Sequence, residues 1–319
     1  MKAILWTTYG APELLKLGEI EKSIPKDDEV LVKVSFASVN RTDCAMLRAK
    51  PFIMRFITGL FKPKNPILGT EFAGTIEAIG KEANAYNVGD KVFGFSDLGV
   101  SAYAEYLTIK ADSSLATLPN NFSFEQIAGS IEGAHYAYNM LNKVSIKKGD
   151  KVLVNGATGA IGSGAVQLIT YYGAKVTAVC NGENAALVQS IGATKVIDYT
   201  TEDFTKTNET YNYIFDTVGK STFAECKPLL ASGGAYISSE LGPYLQNLYL
   251  PLITKFFGSK KVIFPFPSDI NRSILLVKKL MEEAKFTPVI DRKFALKDVT
   301  EAFKYVEKGE KIGNVIIEI

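Results

Sequence analysis

The sequence predicts an α/β protein of two domains, one of them a doubly wound parallel sheet. Three observations predict it. The first third is rich in β-type runs. From residue 150 strands and helices alternate at the pitch of β-α-β units. A glycine-dense stretch, NGATGAIGSGA (155–165), falls where the first of those strands meets its helix. A chain of 319 residues suits about two domains.

In the first third, strands are expected at 2–7, 29–37, 70–80, 91–94 and 103–108, with Gly, Pro, Asn and Asp between them. NVGDKVFG (87–94) reads as a turn and a short strand. Ser123 and Gln126 have capping-box spacing, so a helix starts there. KVLVNG (151–156) is a short buried strand, followed by a helix over roughly 161–172 that stops at Gly173. KVTAVC (175–180), a helix over 185–192, KVID (195–198), YNYIFDTV (211–218) and AYISS (235–239) continue the alternation. After about 270 come a helix (271–284), PVIDRKF, a helix from Lys297 to Lys308, and the strand NVIIEI. These last elements share the texture of the first third. The first domain is therefore expected to be discontinuous, 1–122 and 271–319, with 123–270 inserted as the dinucleotide-binding domain.

Composition narrows the function. The chain is 47% hydrophobic and 22% charged, with a net charge of +2. Nothing in that balance calls for nucleic acid or an acidic surface. The three cysteines, Cys44, Cys180 and Cys226, are scattered and odd in number, which argues against a disulfide framework; no C-x-x-C pair suggests structural zinc. The N-terminus shows no cleavable signal pattern, and no apolar run reaches the ~20 residues that span a bilayer. A cytoplasmic protein without stable membrane insertion is expected.

The glycine stretch reads A-x-G-x-x-G rather than the strict G-x-G-x-x-G, because residue 157 is Ala. A strand-to-helix turn exposes backbone N–H groups at a helix N-terminus, where a diphosphate fits if the backbone can come close. Thr158, Gly159, Ala160 and Ile161 are the candidates for that contact. A tight turn with close packing is the alternative. The next strand ends in Cys180-Asn181-Gly182. An acid at 181 would favour NADH. Its absence leaves a 2′-phosphate unrepelled there and favours NADPH. Glu183 follows, and no Arg or Lys lies in the turn, so NADH stays possible.

SVNRTDC (38–44), NPILGTEFAGTIEAIG (65–80), VGDKVFGF (88–95), YAEYLTI (103–109), VLVNGATGAIGSGAVQLI (152–169), IGATKVIDYTTEDF (191–204) and GNVII (313–317) resemble, in order and spacing, the medium-chain dehydrogenase/reductase superfamily. They are most similar to its zinc-independent quinone oxidoreductase branch. The resemblance implies a GroES-like β-rich catalytic domain, a Rossmann cofactor domain and a homodimer. Zinc-dependent relatives carry Cys-His-Thr-Asp where this chain has Asn40-Arg41-Thr42-Asp43, Gly-His-Glu where it has Gly69-Thr70-Glu71, and a third ligand near Glu132. An amide, a hydroxyl and one carboxylate make a poor zinc site, so no metal is expected. The implied activity is NADPH-dependent hydride transfer to a quinone or an α,β-unsaturated carbonyl. The alternatives are an enoyl-thioester reductase and a non-catalytic NADP(H)-binding sensor or structural protein.

Asn40 is the candidate to donate its amide to a substrate oxygen, or else stabilises a turn. Thr70 lines the cleft or is a strand threonine. Glu132, in GSIEGAHYAY, is a proton donor if it is buried, or a helix-terminus carboxylate facing water. His135, the only histidine, reads as packed. Tyr136 stands where relatives often have a Thr, and Ala45 where they often have a Tyr. The resemblance also implies Tyr199 against the adenosine phosphate and Ser239 and Leu241 beside the nicotinamide; Lys311 is expected to supply charge to the 181–184 turn, with Asn314 a further cofactor contact. The apolar, basic stretch 51–62 could touch a membrane surface or wall the mouth of the substrate cleft. LQNLYLPLITKFF (245–257) serves the pocket or a subunit contact.

Overall fold

The computed structural model describes residues 1–319, which form two compact units. The first holds Met1–Glu132, Asp269–Glu282 and Pro288–Ile319; the second holds Gly133–Ser268 and Glu283–Thr287. Along the chain run β1 (Lys2–Leu5), β2 (Lys16–Glu19), β3 (Glu29–Val39), α1 (Arg41–Arg48), α2 (Met54–Thr58), β4 (Glu71–Ile79), β5 (Lys91–Phe95), β6 (Tyr106–Lys110), β7 (Leu115–Thr117), α3 (Phe124–Ile127) and α4 (Ile131–Leu141). The alternating middle has β8 (Lys151–Asn155), α5 (Ala160–Tyr171), β9 (Lys175–Cys180), α6 (Ala185–Ser190), β10 (Ala193–Asp198), β11 (Tyr211–Asp216), α7 (Phe223–Cys226), β12 (Leu230–Ser238), α8 (Gln246–Phe256) and β13 (Lys261–Ile263). The end supplies α9 (Ile270–Glu282), β14 (Ile290–Ala295), α10 (Val299–Glu307) and β15 (Asn314–Glu318).

In the first unit a seven-stranded sheet runs β14-β15-β3-β4-β5-β7, with β6 also paired to β3. β3 is the hub. Its N-terminal half pairs with β6 and its C-terminal half with β15, while β4 follows its other edge through two register shifts. Val30, Val32, Val34, Ala37 and Val39 put a β-branched face of this strand into a core shared with Phe72, Tyr103 and Phe303. The terminal strand therefore returns to the first third, as its texture implied.

In the second unit six strands lie in the order β10-β9-β8-β11-β12-β13, and every pair is parallel. Strands covered on both faces need continuous apolar runs, and Val152, Leu153 and Val154 of β8 are all fully buried. The strand order reverses between β8 and β11. Ligands of such sheets bind at the C-terminal ends beside that switch point.

Ser123 starts α3 as its spacing predicts: its hydroxyl accepts the Gln126 N–H at 3.2 Å, and Gln126 Oε1 accepts the Ser123 N–H at 2.8 Å. That helix packs on β3 and β4, so the first unit runs on past 122 to Glu132. α1 has no counterpart among the expected elements. The carboxylate of Asp43 accepts the Asn40 N–H at 2.9 Å and caps its first turn. No helix is long and apolar enough to cross a membrane.

The glycines of 155–165 have separable tasks. Gly156 adopts φ +81°, a left-handed conformation, where β8 turns into α5. A Cβ on Gly162 would strike the Gly156 carbonyl oxygen and come within 2.8 Å of Ala157 Cα. A Cβ on Gly159 would meet only Gly156 O at 3.5 Å, an ordinary contact. Gly162→Ala should therefore lower stability by about 1–3 kcal/mol. Gly159→Ala should stay within about 0.5 kcal/mol of the parent. Urea midpoints of the two variants check both; equal midpoints would refute the division of roles.

Candidate active site

The three residues expected to be catalytic converge in the first unit. Glu132 opens α4 and is buried. Its Oε2 accepts the Thr70 hydroxyl at 2.9 Å and the Asn40 Nδ2 amide at 3.2 Å, and the Thr42 hydroxyl bonds to the same carboxyl group. Thr70 is placed by Gly69, whose φ of +108° and close approach to Ala102 leave no room for a Cβ. Asn40 closes β3 and begins α1. Its amide also donates to Ser38 Oγ at 3.3 Å.

This geometry changes the role expected of Asn40. Its NH₂ group is engaged by Glu132 and Ser38, so it does not present a free donor to a substrate oxygen. What remains is Oδ1, buried and without a partner.

Two further carboxyl groups belong to the cluster, and neither stood out in the sequence. Glu71, the first residue of β4, accepts the Ile131 N–H at 2.6 Å on Oε1 and the Ser38 hydroxyl at 2.9 Å on Oε2. It thereby caps the start of α4, where the helix dipole favours negative charge. Asp43 is fully buried, and its Oδ1 has no partner. Burial pushes Glu71 from the usual 4.5 up to about 7, against the Ile131 and Ser38 hydrogen bonds and with help from the Glu132 charge. Burial and then the Glu132 charge raise Asp43 well above the carboxylate range. Burial also raises Glu132, against the hydrogen bonds from Thr42, Thr70 and Asn40.

Lys311 was expected to serve the 181–184 turn. Instead the charges it faces are Glu132 and Asp291, and its Nζ donates to the Gly313 carbonyl. Desolvation pulls it down to about 8. Asn314 donates Nδ2 to Val289 O at 3.1 Å, and its Oδ1 is buried and unpartnered. His135 is buried and shares Asn139 as a neighbour within its own helix.

In the second unit the glycine turn presents the start of α5. Gly159 is its N-cap and offers no side-chain cap, and Thr158, Gly159, Ala160 and Ile161 are partly exposed. With no protein Cβ demanded or opposed at Gly159, uncapped N–H groups and open space coincide, and this fits a dinucleotide diphosphate. Asn181 ends β9 and accepts the Glu183 N–H at 3.0 Å. Tyr199 follows β10; its N–H bonds to Cys180 O at 3.2 Å and its ring is 60% exposed, open to stacking. Ser239 bonds through its N–H to Asp216 O at 3.2 Å, and its hydroxyl is buried without a partner; Leu241 is half-buried just beyond β12.

Two acids here escaped the sequence reading. Asp216 ends β11 and is fully buried; it accepts from Asn155, Val218, Gly219 and the Tyr236 hydroxyl, fixing the strand ends at the switch point. Asp198 ends β10, takes the Gly182 N–H and two bonds from Thr200, and is held ionised by them.

Residues 26–120 match the alcohol dehydrogenase GroES-like domain, and residues 191–317 match the zinc-binding dehydrogenase family. The chain is 31% identical to 2-methylene-furan-3-one reductase of Solanum lycopersicum, over 99% of this chain and 79% of that one. The chain belongs to the medium-chain dehydrogenase/reductase superfamily. Within it the chain falls in the zinc-independent, quinone oxidoreductase-like branch. It is 28% identical to human quinone oxidoreductase over 97% of this chain and 94% of that one. The solved quinone oxidoreductase of Coxiella burnetii superposes with a TM-score of 0.89 at 25% identity, covering 100% and 99% of the two chains. The protein is an oxidoreductase of this superfamily.

The superfamily's zinc does not fit these residues. Zinc sites use thiolate, imidazole and carboxylate. Here the matching positions hold an amide, a hydroxyl and a carboxyl group that bond to one another. Donors aimed at Glu132 Oε2 take the place a cation would need.

Glu71 makes the cluster testable through stability. Its folded pKa of about 7 exceeds the ordinary 4.5, so the folded state binds its proton more tightly than the unfolded chain does. That contribution is complete below the unfolded value and is lost as pH rises through about 7. Between about pH 5 and pH 8 the parent should lose up to ~3 kcal/mol relative to Glu71→Gln. Urea unfolding of both across that range reads it out; parallel pH profiles would contradict the shift.

Proposed function

We propose that this protein is an NADPH-dependent, zinc-independent reductase that delivers a hydride to quinones or α,β-unsaturated carbonyls. The observation that carries the proposal is the convergence of Asn40, Thr70 and Glu132 in a buried cluster of carboxyl groups. A reduced nicotinamide supplies the hydride when bound. The protein must then provide a proton, and a carboxyl group raised above its usual range provides one. Thr42, Thr70 and Asn40 stabilise the carboxylate that Glu132 becomes after giving up its proton. Asn40 is thus a positioning residue. The start of α5, Asn181 and Tyr199 hold the diphosphate and adenosine. The names of the tomato and human relatives support acceptors of the enone and quinone type.

We propose a homodimer formed through the second unit. β13 ends its sheet with a free edge, and Leu252, Phe256, Phe257 and Phe266 near it are exposed. We place the enzyme in the cytoplasm.

The purified, chelator-treated protein should oxidise NADPH with members of a panel of quinones, 2-alkenals and enones. Activity should fall as pH rises above the point where Glu132 loses its proton. Glu132→Gln should lower kcat by about 10²-fold and flatten that alkaline limb. Turnover lost with the metal, or an unchanged profile in the variant, would overturn the assignment.

Cofactor choice turns on Asp198. Asn181 puts no charge at the end of β9, but the Asp198 carboxylate lies against Gly182 in the same turn. A like charge about 4 Å from a bound 2′-phosphate would cost about 1 kcal/mol in water. Asp198→Asn should therefore shift the kcat/KM ratio of NADPH to NADH upward about fivefold. A ratio that does not move would place the 2′-phosphate away from this turn.

A further inference from the structure

The first unit carries an apolar spur that the proposed chemistry does not use. Phe52, Ile53, Phe56, Ile57, Leu60 and Phe61 are all exposed, Phe61 by 87%. Six large apolar side chains within ten residues far exceed the scattered exposure of an ordinary surface.

The charge within the spur's own segment has one sign. From Cys44 to Thr70 there is no Asp or Glu, and five basic residues fall in that span: Arg48, Lys50, Arg55, Lys62 and Lys64. Arg48 is paired with Glu307 at 2.6 Å. Lys50, Lys62 and Lys64 are exposed and in no ion pair. The net charge of the whole chain is only +2, so this positive field is local.

The spur is also held in shape. The Tyr9 hydroxyl donates to Gly59 O at 2.5 Å and lies 2.7 Å from Thr58 Oγ1. The Arg55 guanidinium sits 4.6 Å over the Tyr9 ring and donates to Leu60 O at 3.1 Å. The Lys64 N–H donates to Thr58 O at 2.8 Å. Gly59 adopts φ +135°, where a Cβ would strike the Lys62 carbonyl. A bump braced by this many bonds presents its aromatics without a further ordering cost.

We propose that residues 50–64 form a docking spur that seats the protein reversibly on an anionic lipid bilayer surface. Phe52, Phe56 and Phe61 enter the acyl boundary, and Lys50, Lys62 and Lys64 reach back to the headgroup charges. A second copy of the chain fits worse, because it would bring two uniformly basic rims together around the apolar centre. A neutral apolar partner leaves the lysines unanswered. The anionic bilayer supplies both an apolar interior and a negative surface, each basic residue adding about fivefold to affinity at low salt.

The test is flotation of the full chain with vesicles of phosphatidylcholine alone, or with about 30% phosphatidylglycerol, at low and high salt. The protein should float with the anionic vesicles, far less with the neutral ones, and lose most of that binding as salt screens the lysines. Phe56→Ser with Phe61→Ser should weaken binding at least tenfold. Lys62→Glu with Lys64→Glu should abolish the dependence on anionic lipid. All four positions are exposed, and unchanged thermal unfolding of each variant confirms that the fold is intact. No flotation of the parent, or flotation that survives both pairs of substitutions, overturns the proposal. So does a concentration-dependent mass in sedimentation that the phenylalanine pair abolishes while the parent ignores vesicles, since the spur would then join two copies. Neither readout involves turnover, so the result is independent of the proposed reaction.

Discussion

Burying three carboxyl groups together in the first unit is costly, and the hydrogen bonds around them offset part of that cost. Asp43, Glu71 and Glu132 come from α1, β4 and the start of α4. Each lost water on folding, and each receives only part of what water gave. Glu71 has the Ile131 and Glu132 N–H groups and the Ser38 hydroxyl. Asp43 has the Asn40 N–H and the Tyr103 hydroxyl, and its Oδ1 has no partner. Desolvation is the largest influence in all three cases and raises each carboxyl group above its usual range. The same bonds tie four elements together. Asn40 alone links the end of β3, the cap of α1 and the carboxyl of Glu132.

The second unit holds a buried acid with more hydrogen bonds. Asp216 is as buried as Asp43 and collects four donors: Asn155 at the end of β8, the Val218 and Gly219 N–H groups after β11, and the Tyr236 hydroxyl of β12. A carboxylate so supplied braces the strand ends beside which the glycine turn opens. On the proposed function the two units put buried acid to different uses: one braces a backbone frame beside the cofactor turn, the other supplies a proton.

What the sequence made legible depended on how local the signal was. The parallel sheet and its glycine turn could be read because period, turn residues and strand length are all encoded within short windows. The return of the last strand to the first third was legible from texture alone. Asn40 and Thr70 were singled out through the resemblance, and Glu132 also by its place in the apolar run GSIEGAHYAY. The misreadings are long-range. Asp43 sits in a run of polar residues that looks like a solvated helix start, and only the fold reveals that it is fully buried. Lys311 lies in a charged segment, and its partners Glu132 and Asp291 are reached through the sheet and not along the chain. Asp198 was overlooked because its carboxylate acts on the turn of a neighbouring strand, across a β-pair that sequence spacing does not measure.

The replacement of metal ligands by Asn40, Thr70 and Glu132 also bears on the direction of the chemistry. A metal ion stabilises an alkoxide directly, so it serves oxidation of an alcohol as well as the reverse. A carboxyl group cannot stabilise an alkoxide in that way; once ionised it would repel one. On the proposed reading it serves an acceptor, such as an enone or a quinone, whose reduction spreads negative charge that a proton can neutralise. The cluster is suited to that task because its proton is held above the ordinary carboxylate range but not permanently. Thr42, Thr70 and Asn40 stand ready to stabilise the anion that Glu132 leaves behind, so the step that consumes the proton is met by hydrogen bonds that already exist. The interaction that disqualifies the site for zinc is therefore the one that equips it for reduction.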